Sequence, residues 1–415
     1  MSKEYLANEN QITKRFICFP DKLDCEFDYG EGKRGVRLKG FQVDSPLDLF
    51  KEATIYTFDI DSTDFYSIKS TGGKLYTYRF IDSFISGERY ALITIIESEG
   101  NSYYYPSFST EKPIYIKIET IAFQYFSEPE FKHSKQVLQF ITDNNIKNDE
   151  NSFLDLSDFG DFKFCAFGVG QGMCSLAYNE INKIGILFDS GAGTPVKRYP
   201  YQKNKIQNSL HSVIDNLETL YLILSHLDSD HYRLLHWDKN LLSKVDCIFI
   251  PAYENWLDAK DAKFKAFTIG INNLYIKGNN FRALAMKTNP NTGLDQKNNK
   301  ALVSMIEIDQ KLMLLPGDYS YSMMTLDNNK KINDLMQIGY DFINVPHHGD
   351  YASRLNIPTV NCDGIAFFSA GNHEGYKHPN SDSLDEHQNQ GYNNIIYGNS
   401  GNITIEYSNK WSVSC

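Results

Sequence analysis

A chain of 415 residues that is 41% hydrophobic and 14% aromatic, with 27 Tyr and 27 Phe, can bury two or three cores and is too apolar to be disordered. A formal net charge of −11 excludes broad, non-specific attraction to polyanions, although a local basic patch or bound cations can reverse the field inside a cleft. No apolar run reaches the roughly eighteen residues of a spanning helix, no apolar signal core follows Met1, and seven scattered cysteines form no Cys-x-x-Cys pair, so the chain reads as soluble, cytoplasmic, thiol-reduced and without membrane association.

Residues 1–150 carry short β-prone runs, Ala53 to Phe58, Leu75 to Phe80, Tyr90 to Ile96 and Ile114 to Ile118, separated by Gly, Ser, Asn and Asp clusters. They predict a smaller, mainly β, antiparallel N-terminal domain that regulates or targets the remainder, with a surface for a protein partner. Lys135 to Asn144 has helical spacing. The polar stretch Asp143 to Asn151 reads as a linker, which places a second domain over residues 155–415.

That second part opens with a strand, Phe162 to Phe167, and a loop containing Gly168, Gly170 and Gly172. The glycines loosely fit a dinucleotide fingerprint, but Met173 to Tyr178 and Lys183 to Phe188 follow as a hairpin where that fingerprint requires a helix. Close approach of backbone to a cleft explains them better. After Asp189-Ser190-Gly191 comes a segment, Pro195 to Lys205, in which Lys197, Arg198, Lys203 and Lys205 surround Tyr199 and Tyr201. Cations there suit phosphates and the aromatic faces suit stacked bases, although a solvated loop has the same composition.

Tyr221 to Leu224 is an apolar run of buried-strand type, and His226, Asp228, Asp230 and His231 follow within six residues. Burying two imidazoles and two carboxylates without compensation costs several kcal/mol, so the cluster calls for a cation or a dense hydrogen-bond network. His226 and Asp228 share a face of an extended segment while Asp230 and His231 diverge, which suits two neighbouring metals. The alternative is a polar loop whose aspartates cap a helix.

Downstream, strands and helical segments alternate: Val245 to Ile250, a helical Asn255 to Phe267, Leu302 to Ile308 turning at Asp309-Gln310 into Leu312 to Leu315, a helical Tyr319 to Ile338, Phe342 to Val345, Ile365 to Phe368, and a helical Ser381 to Gln390. The pattern predicts a layered α/β fold. Three further polar clusters follow apolar runs: Pro316-Gly317-Asp318, Pro346-His347-His348-Gly349 and Lys377-His378-Pro379.

Taken as an ordered series over residues 160–400, these pieces resemble the metallo-β-lactamase superfamily and, within it, the hydrolase domain of ComEC-type competence proteins. The resemblance implies an αββα sandwich with its motifs on loops along one edge of two packed sheets. Carried over residue by residue, it makes His226 and Asp228 ligands of one metal, Asp230 and His231 ligands of the other, and Asp318 the bridge. One of His347 and His348 supplies a later ligand, with His347 favoured. His378 completes a metal site or meets the substrate, and Asp189 orients a ligand histidine from behind. Asp228 stands where the superfamily usually has histidine, as in ComEC-like members. Gly168, Met173, Tyr232 to Leu234, and Asp350 in place of a common serine depart from the pattern. His133, His211, His236 and His387 read as surface or core histidines, and His373 is left open.

The resemblance implies two divalent ions, Zn²⁺ or Mn²⁺, activating a hydroxide for attack on a phosphodiester, with Asp230, Asp318 and His378 at the chemistry. DNA or RNA is the expected substrate. A small cyclic nucleotide or another small phosphodiester is the alternative, and a non-catalytic metal-binding interaction protein a third reading. No DNA import is implied, since the membrane-spanning segments of ComEC-type proteins have no counterpart.

Overall fold

The computed structural model describes residues 13–22, 35–43, 53–66, 84, 89–109, 111–125, 137–139, 146–192, 209–254, 256–291, 297–371, 377–397 and 404–414. The chain divides into two compact units, Met1–Asp143 with Asn255–Phe264, and Asn144–Glu254 with Lys265–Cys415. Among the described residues no helix is long and apolar enough to cross a membrane.

The first unit is built on β1 (Thr13–Lys22), β2 (Gly35–Gln42), β3 (Tyr56–Asp61), β4 (Arg89–Pro106) and β5 (Ile114–Tyr125), all antiparallel. β1 also pairs with the first half of β4, so hydrogen bonding closes β1 through β4 into a ring. Its core is aromatic and β-branched, as half-buried pleated surfaces favour. Phe16 packs edge-on against Tyr56, Phe58 and Tyr104 with centroids 5.0 to 5.4 Å away. A buried pair, Arg37 Nε to Asp59 Oδ1 at 2.8 Å, neutralises two charges inside. Within this unit the Asp261 carboxylate accepts from the Ile55 N–H at 2.9 Å, and Lys39 pairs with Asp258. The expected helical segment Asn255 to Phe267 is thus two short turns, Leu257–Lys260 and Ala262–Ala266, followed by strand. The run Leu75 to Phe80 lies outside the described residues.

The second unit holds β6 (Lys147–Asp155), β7 (Lys163–Phe167), β8 (Ser175–Asn179), β9 (Ile184–Phe188), β10 (Thr219–Ile223), β11 (Val245–Pro251), β12 (Thr268–Lys277), β13 (Phe281–Lys287), β14 (Leu302–Ile308), β15 (Lys311–Leu315), β16 (Tyr340–Asn344), β17 (Val360–Ser369), β18 (Asn393–Tyr397), β19 (Thr404–Tyr407) and β20 (Trp411–Ser414). It is α/β, mostly sheet, with short helices between strands. Hydrogen bonding runs continuously from β18 back to β7 and on to β19 and β20.

β12 is where this path turns. Its first half pairs with β11 as far as Ile271, and its second half pairs with β13 from Asn273 onward. The two arms face one another across a single core: Phe164 of β7 meets Phe342 of β16 edge-on at 5.2 Å, and Phe342 stacks on Trp411 of β20 at 5.6 Å. Truncating a ring so placed costs about 3–5 kcal/mol. A second cluster covers the outer face of β14 to β17, where Tyr321, Met324, Ile332 and Leu335 from two short helices join Val303, Leu314, Ile343 and Ala366. One helix over Tyr319 to Ile338 was expected. The chain breaks it at Asp327, whose carboxylate accepts from the N–H groups of Asn289 and Asn329 and from the Tyr319 hydroxyl.

Two differences from the sequence reading concern strands. The polar stretch read as a linker contains β6, which pairs in parallel with β12 over its whole length, and β12 and β13 are strands that the sequence reading left out. The β14–β15 hairpin forms where expected, with Asp309 and Gln310 both left-handed (φ 50° and 67°), as a two-residue turn matching strand twist requires. What positions the site is strand direction. β9, β10 and β11 are mutually parallel, as are β15, β16 and β17, so each set delivers its carboxyl ends together.

Candidate metal centre

All but Lys377-His378-Pro379 of the polar clusters emerge from the carboxyl end of one of these strands: Asp189 after β9, His226 after β10, Asp318 after β15, His347 and His348 after β16, with Ser369 closing β17. They converge on Asp318. Its Oδ1 lies 3.1 Å from Nε2 of His231 and 3.8 Å from Nε2 of His348, while its Oδ2 lies 3.7 Å from Nε2 of His226 and 3.8 Å from Nε2 of His347. Asp230 Oδ2 approaches the His348 Nε2 at 3.4 Å. One carboxylate therefore presents each oxygen to a different pair of imidazoles.

All four imidazoles are held by the other nitrogen. His231 Nδ1 donates to Asp189 Oδ2 at 2.8 Å, His348 Nδ1 to the Ser369 carbonyl at 3.0 Å, His347 Nδ1 to Asp350 Oδ2 at 3.2 Å, and His226 Nδ1 to Ser225 Oγ at 3.1 Å. Ser225 in turn donates its N–H and hydroxyl to the two oxygens of Asp189 at 2.7 and 2.8 Å. Carboxylate and carbonyl oxygens only accept, and the Ser225 hydroxyl gives its hydrogen to Asp189, so in each ring when neutral the proton sits on Nδ1 and the Nε2 lone pair faces Asp318.

Lone pairs facing a carboxylate are unfavourable unless something positive lies between them. Nε2 of His226, His231 and His348 and Oδ1 of Asp318 are buried without hydrogen-bond partners among the described residues. Each such atom costs about 1–3 kcal/mol. Protons relieve this in part. Against a burial effect that opposes it, the carboxylates of Asp318 and Asp189 hold the His231 pKa well above its ordinary value, whereas burial and His231 together depress His226. Burial would raise Asp318, but the imidazoles of His231, His348 and His226 hold it well below the usual carboxylate range. Divalent cations in the two groups would relieve all four atoms, and the nitrogen and oxygen donors fit Zn²⁺ or Mn²⁺. His226, His231 and Asp318 form one group with ligand atoms within 4.8 Å of each other, and Asp230, His231 and His348 another.

No family model matches this sequence, and no curated protein matches it. Three proteins are among the solved structures that overlap this chain in part. One is a variant of the CmlA β-hydroxylase, a diiron enzyme from Streptomyces venezuelae, with a TM-score of 0.37 and 10% identity, covering 77% of this chain and 69% of that one. Another is the metallo-β-lactamase fold protein YhfI from Bacillus subtilis, at 0.36 and 15%, covering 60% and 100%. A possible metal-dependent hydrolase from Veillonella parvula overlaps at 0.33 and 9%, covering 59% and 99%. At these scores none transfers an activity to this chain.

Of the residues singled out in the sequence, the structure brings together His226, Asp230, His231, Asp318 and His347, with Asp189 behind His231. Asp228 belongs to neither group, although its charge acts on His226: the helix Ser229–Trp237 begins at once, and Oδ1 of Asp228 caps it by accepting from the Ser229 N–H at 3.1 Å. His378 lies beside the centre, its ring 5.7 Å from that of His347 and 6.5 Å from that of His348. Burial and the two neighbouring imidazoles push its pKa down to about 4. Lys197, Arg198, Lys203 and Lys205, with Tyr199 and Tyr201, lie outside the described residues, as do His133 and His373. His211 pairs with Asp238, His236 packs against Tyr232, and His387 is buried with Nδ1 on the Ser383 carbonyl.

Sequence reasoning chose His347 over His348, yet both imidazoles reach Asp318. Neighbours diverge on an extended chain, but His347, His348 and Gly349 are consecutive left-handed residues (φ 48°, 58° and 80°), and this turn aims both rings inward. Asp189 is left-handed too (φ 57°). Such non-glycine conformations cost about 1–3 kcal/mol each and persist where the surroundings impose them. The glycine loops crowd the same centre: a Cβ on Gly191 or Gly172 would stand 2.0 or 2.7 Å from the Asp230 carbonyl oxygen.

Proposed function

We propose that the second unit is a metal-dependent hydrolase of the metallo-β-lactamase type, an αββα sandwich related to the ComEC-type hydrolase domain, and that it cleaves phosphodiester bonds in nucleic acid. The observation that carries the metal reading is the convergence of four imidazole Nε2 atoms on the two oxygens of Asp318, with the Asp230 carboxylate beside His348. Asp318 Oδ2, His226 and His347 would hold one cation; Asp318 Oδ1, Asp230, His231 and His348 the other.

Two divalent ions so held, Zn²⁺ or Mn²⁺, supply a nucleophile from water near neutral pH and stabilise charge developing on phosphoryl oxygens. Asp189, Ser225 and Ser369 keep the ligand imidazoles in one tautomer. His378, beside His347 at the centre, is placed to meet the substrate. Support for a nucleic-acid substrate comes from the sequence between Ala192 and Ser209, where Lys197, Arg198, Lys203 and Lys205 would hold phosphates flanking the scissile one and Tyr199 and Tyr201 would stack unpaired bases at about 1–3 kcal/mol each. The first unit, which carries none of the centre, would serve regulation or a protein partner.

The test is cleavage of single-stranded DNA or RNA alongside a small chromogenic phosphodiester. Activity on both should disappear on chelation and in Asp230→Ala. Lys197→Ala with Arg198→Ala should raise the KM for the long strand, more so at raised salt, and spare the small substrate. Equal loss on both, or cleavage of the small substrate alone, replaces the nuclease reading with hydrolysis of a small phosphodiester such as a cyclic nucleotide.

A further inference from the structure

Three of the four imidazoles around Asp318 are fully buried, so packing limits how their rings turn. His347 is different: its side chain is 38% exposed, on the outer side of the centre. Among the described residues its ring makes one hydrogen bond, from Nδ1 to Asp350 Oδ2 at 3.2 Å, while Nε2 faces Asp318 Oδ2 at 3.8 Å.

Asp350 is itself anchored independently of that ring. Its other oxygen, Oδ1, accepts from the Ser353 N–H at 2.9 Å and lies 2.6 Å from the Ser353 hydroxyl. Ser353 is buried, and its Oγ also lies 2.7 Å from the Pro346 carbonyl at the opposite end of the turn. The Asp350 N–H donates to the His347 carbonyl at 3.2 Å. Oδ1 thus fastens the carboxylate to the turn, while Oδ2 points at the imidazole.

We propose that Asp350 is a positioning residue that fixes His347 as the Nδ1–H tautomer and aims its Nε2 at Oδ2 of Asp318, making the exposed imidazole a usable ligand. The value of this to the protein rests on the metal-centre reading; the tautomer does not. The competing account is that Asp350 only caps the turn Tyr351–Arg354 through Oδ1. Because the two roles use different oxygens, Asp350→Asn separates them. Its amide oxygen can keep the Ser353 contacts, and its NH₂ then faces Nδ1, which must accept, leaving the hydrogen on Nε2.

The experiment is long-range ¹⁵N–¹H correlation of histidine rings in the full chain after chelation, in buffer raised in pH until the His347 ring-nitrogen shifts stop changing and the ring is neutral. Wild type should show His347 protonated on Nδ1, and Asp350→Asn should move the proton to Nε2. Zn²⁺ titration with a competing chelator should show one of two sites weakened ~10–100-fold in Asp350→Asn, while Ser353→Ala, which loses the hydroxyl but keeps the Ser353 N–H on Oδ1, weakens that site several-fold less. An Nε2–H tautomer in wild type overturns the proposal without reference to any variant or metal. So does an unchanged tautomer in Asp350→Asn, or equal weakening in Ser353→Ala. Wild type that binds no metal while showing the Nδ1–H tautomer and its shift sinks the metal reading and leaves the orientation standing.

Discussion

Oδ2 of Asp189 lies 2.8 Å from Nδ1 of His231, and the ring therefore turns its Nε2 toward Oδ1 of Asp318, 3.1 Å away. Asp189 has no free oxygen to spare, since both also accept from Ser225. Asn fits the same volume and tolerates a left-handed backbone, but its NH₂ cannot accept. Asp189→Asn should lower divalent-metal affinity ~10–100-fold with little change in fold. Competition against a chromogenic chelator measures this, and unchanged affinity would separate Asp189 from the centre.

Gly317 couples backbone conformation to the same network. Its φ is +61°, and a Cβ there would stand 2.6 Å from Oγ and 2.7 Å from Cβ of Ser225, the residue that holds both His226 and Asp189. Gly317→Ala should lose about 1–2 kcal/mol from the left-handed backbone alone, and more from displacing Ser225. Urea unfolding should show that loss, with weakened metal binding beside it. A variant as stable as wild type would contradict the packing described for the Pro316-Gly317-Asp318 loop.

Away from the centre, His211 and Asp238 form a partly exposed pair. The hydrogen bond to Asp238 raises the His211 pKa above 6.5; burial opposes the depression of Asp238, but His211 and the N–H groups of Leu241 and Asn240 lower it below 3.8. The His211 contribution to stability is complete below its unfolded value and is lost as pH rises through the raised one. That of Asp238 is present above its unfolded value and is lost as pH falls through the depressed one. The pair thus stabilises most between about pH 4 and 6.5. The Tm difference between wild type and His211→Gln should be largest near pH 5.5 and shrink by about pH 9, and a difference independent of pH would rule out the ionised pair.

Which parts of this were legible in the sequence follows from how each residue is held. His226, Asp318 and the His347-His348 doublet stood out because each follows an apolar strand of a parallel set, where buried sequence meets an exposed carboxyl end. β6 did not, because Lys147–Asp155 is an Asn- and Asp-rich strand whose hydrogen bonds to β12 are made by backbone and leave no alternation to read. Asp228 was expected beside His226 on extended chain; its backbone is extended and its charge acts on His226, while one of its oxygens caps the helix that begins at Ser229. Ser369 left no trace, since it contributes a carbonyl oxygen that any residue carries, and Asp350 was noticed only as a departure from serine.

The central claim is that Asp318 joins two cation sites, and metal content tests it most directly. Elemental analysis of the full chain, loaded with Zn²⁺ or Mn²⁺ and freed of excess by gel filtration, should give about two ions per chain, falling below about one in Asp318→Ala. Asp228→Ala is the control: it should keep about two ions while losing about 1 kcal/mol of helix capping. Wild type that retains no metal, or Asp318→Ala that retains the wild-type content, would contradict the account.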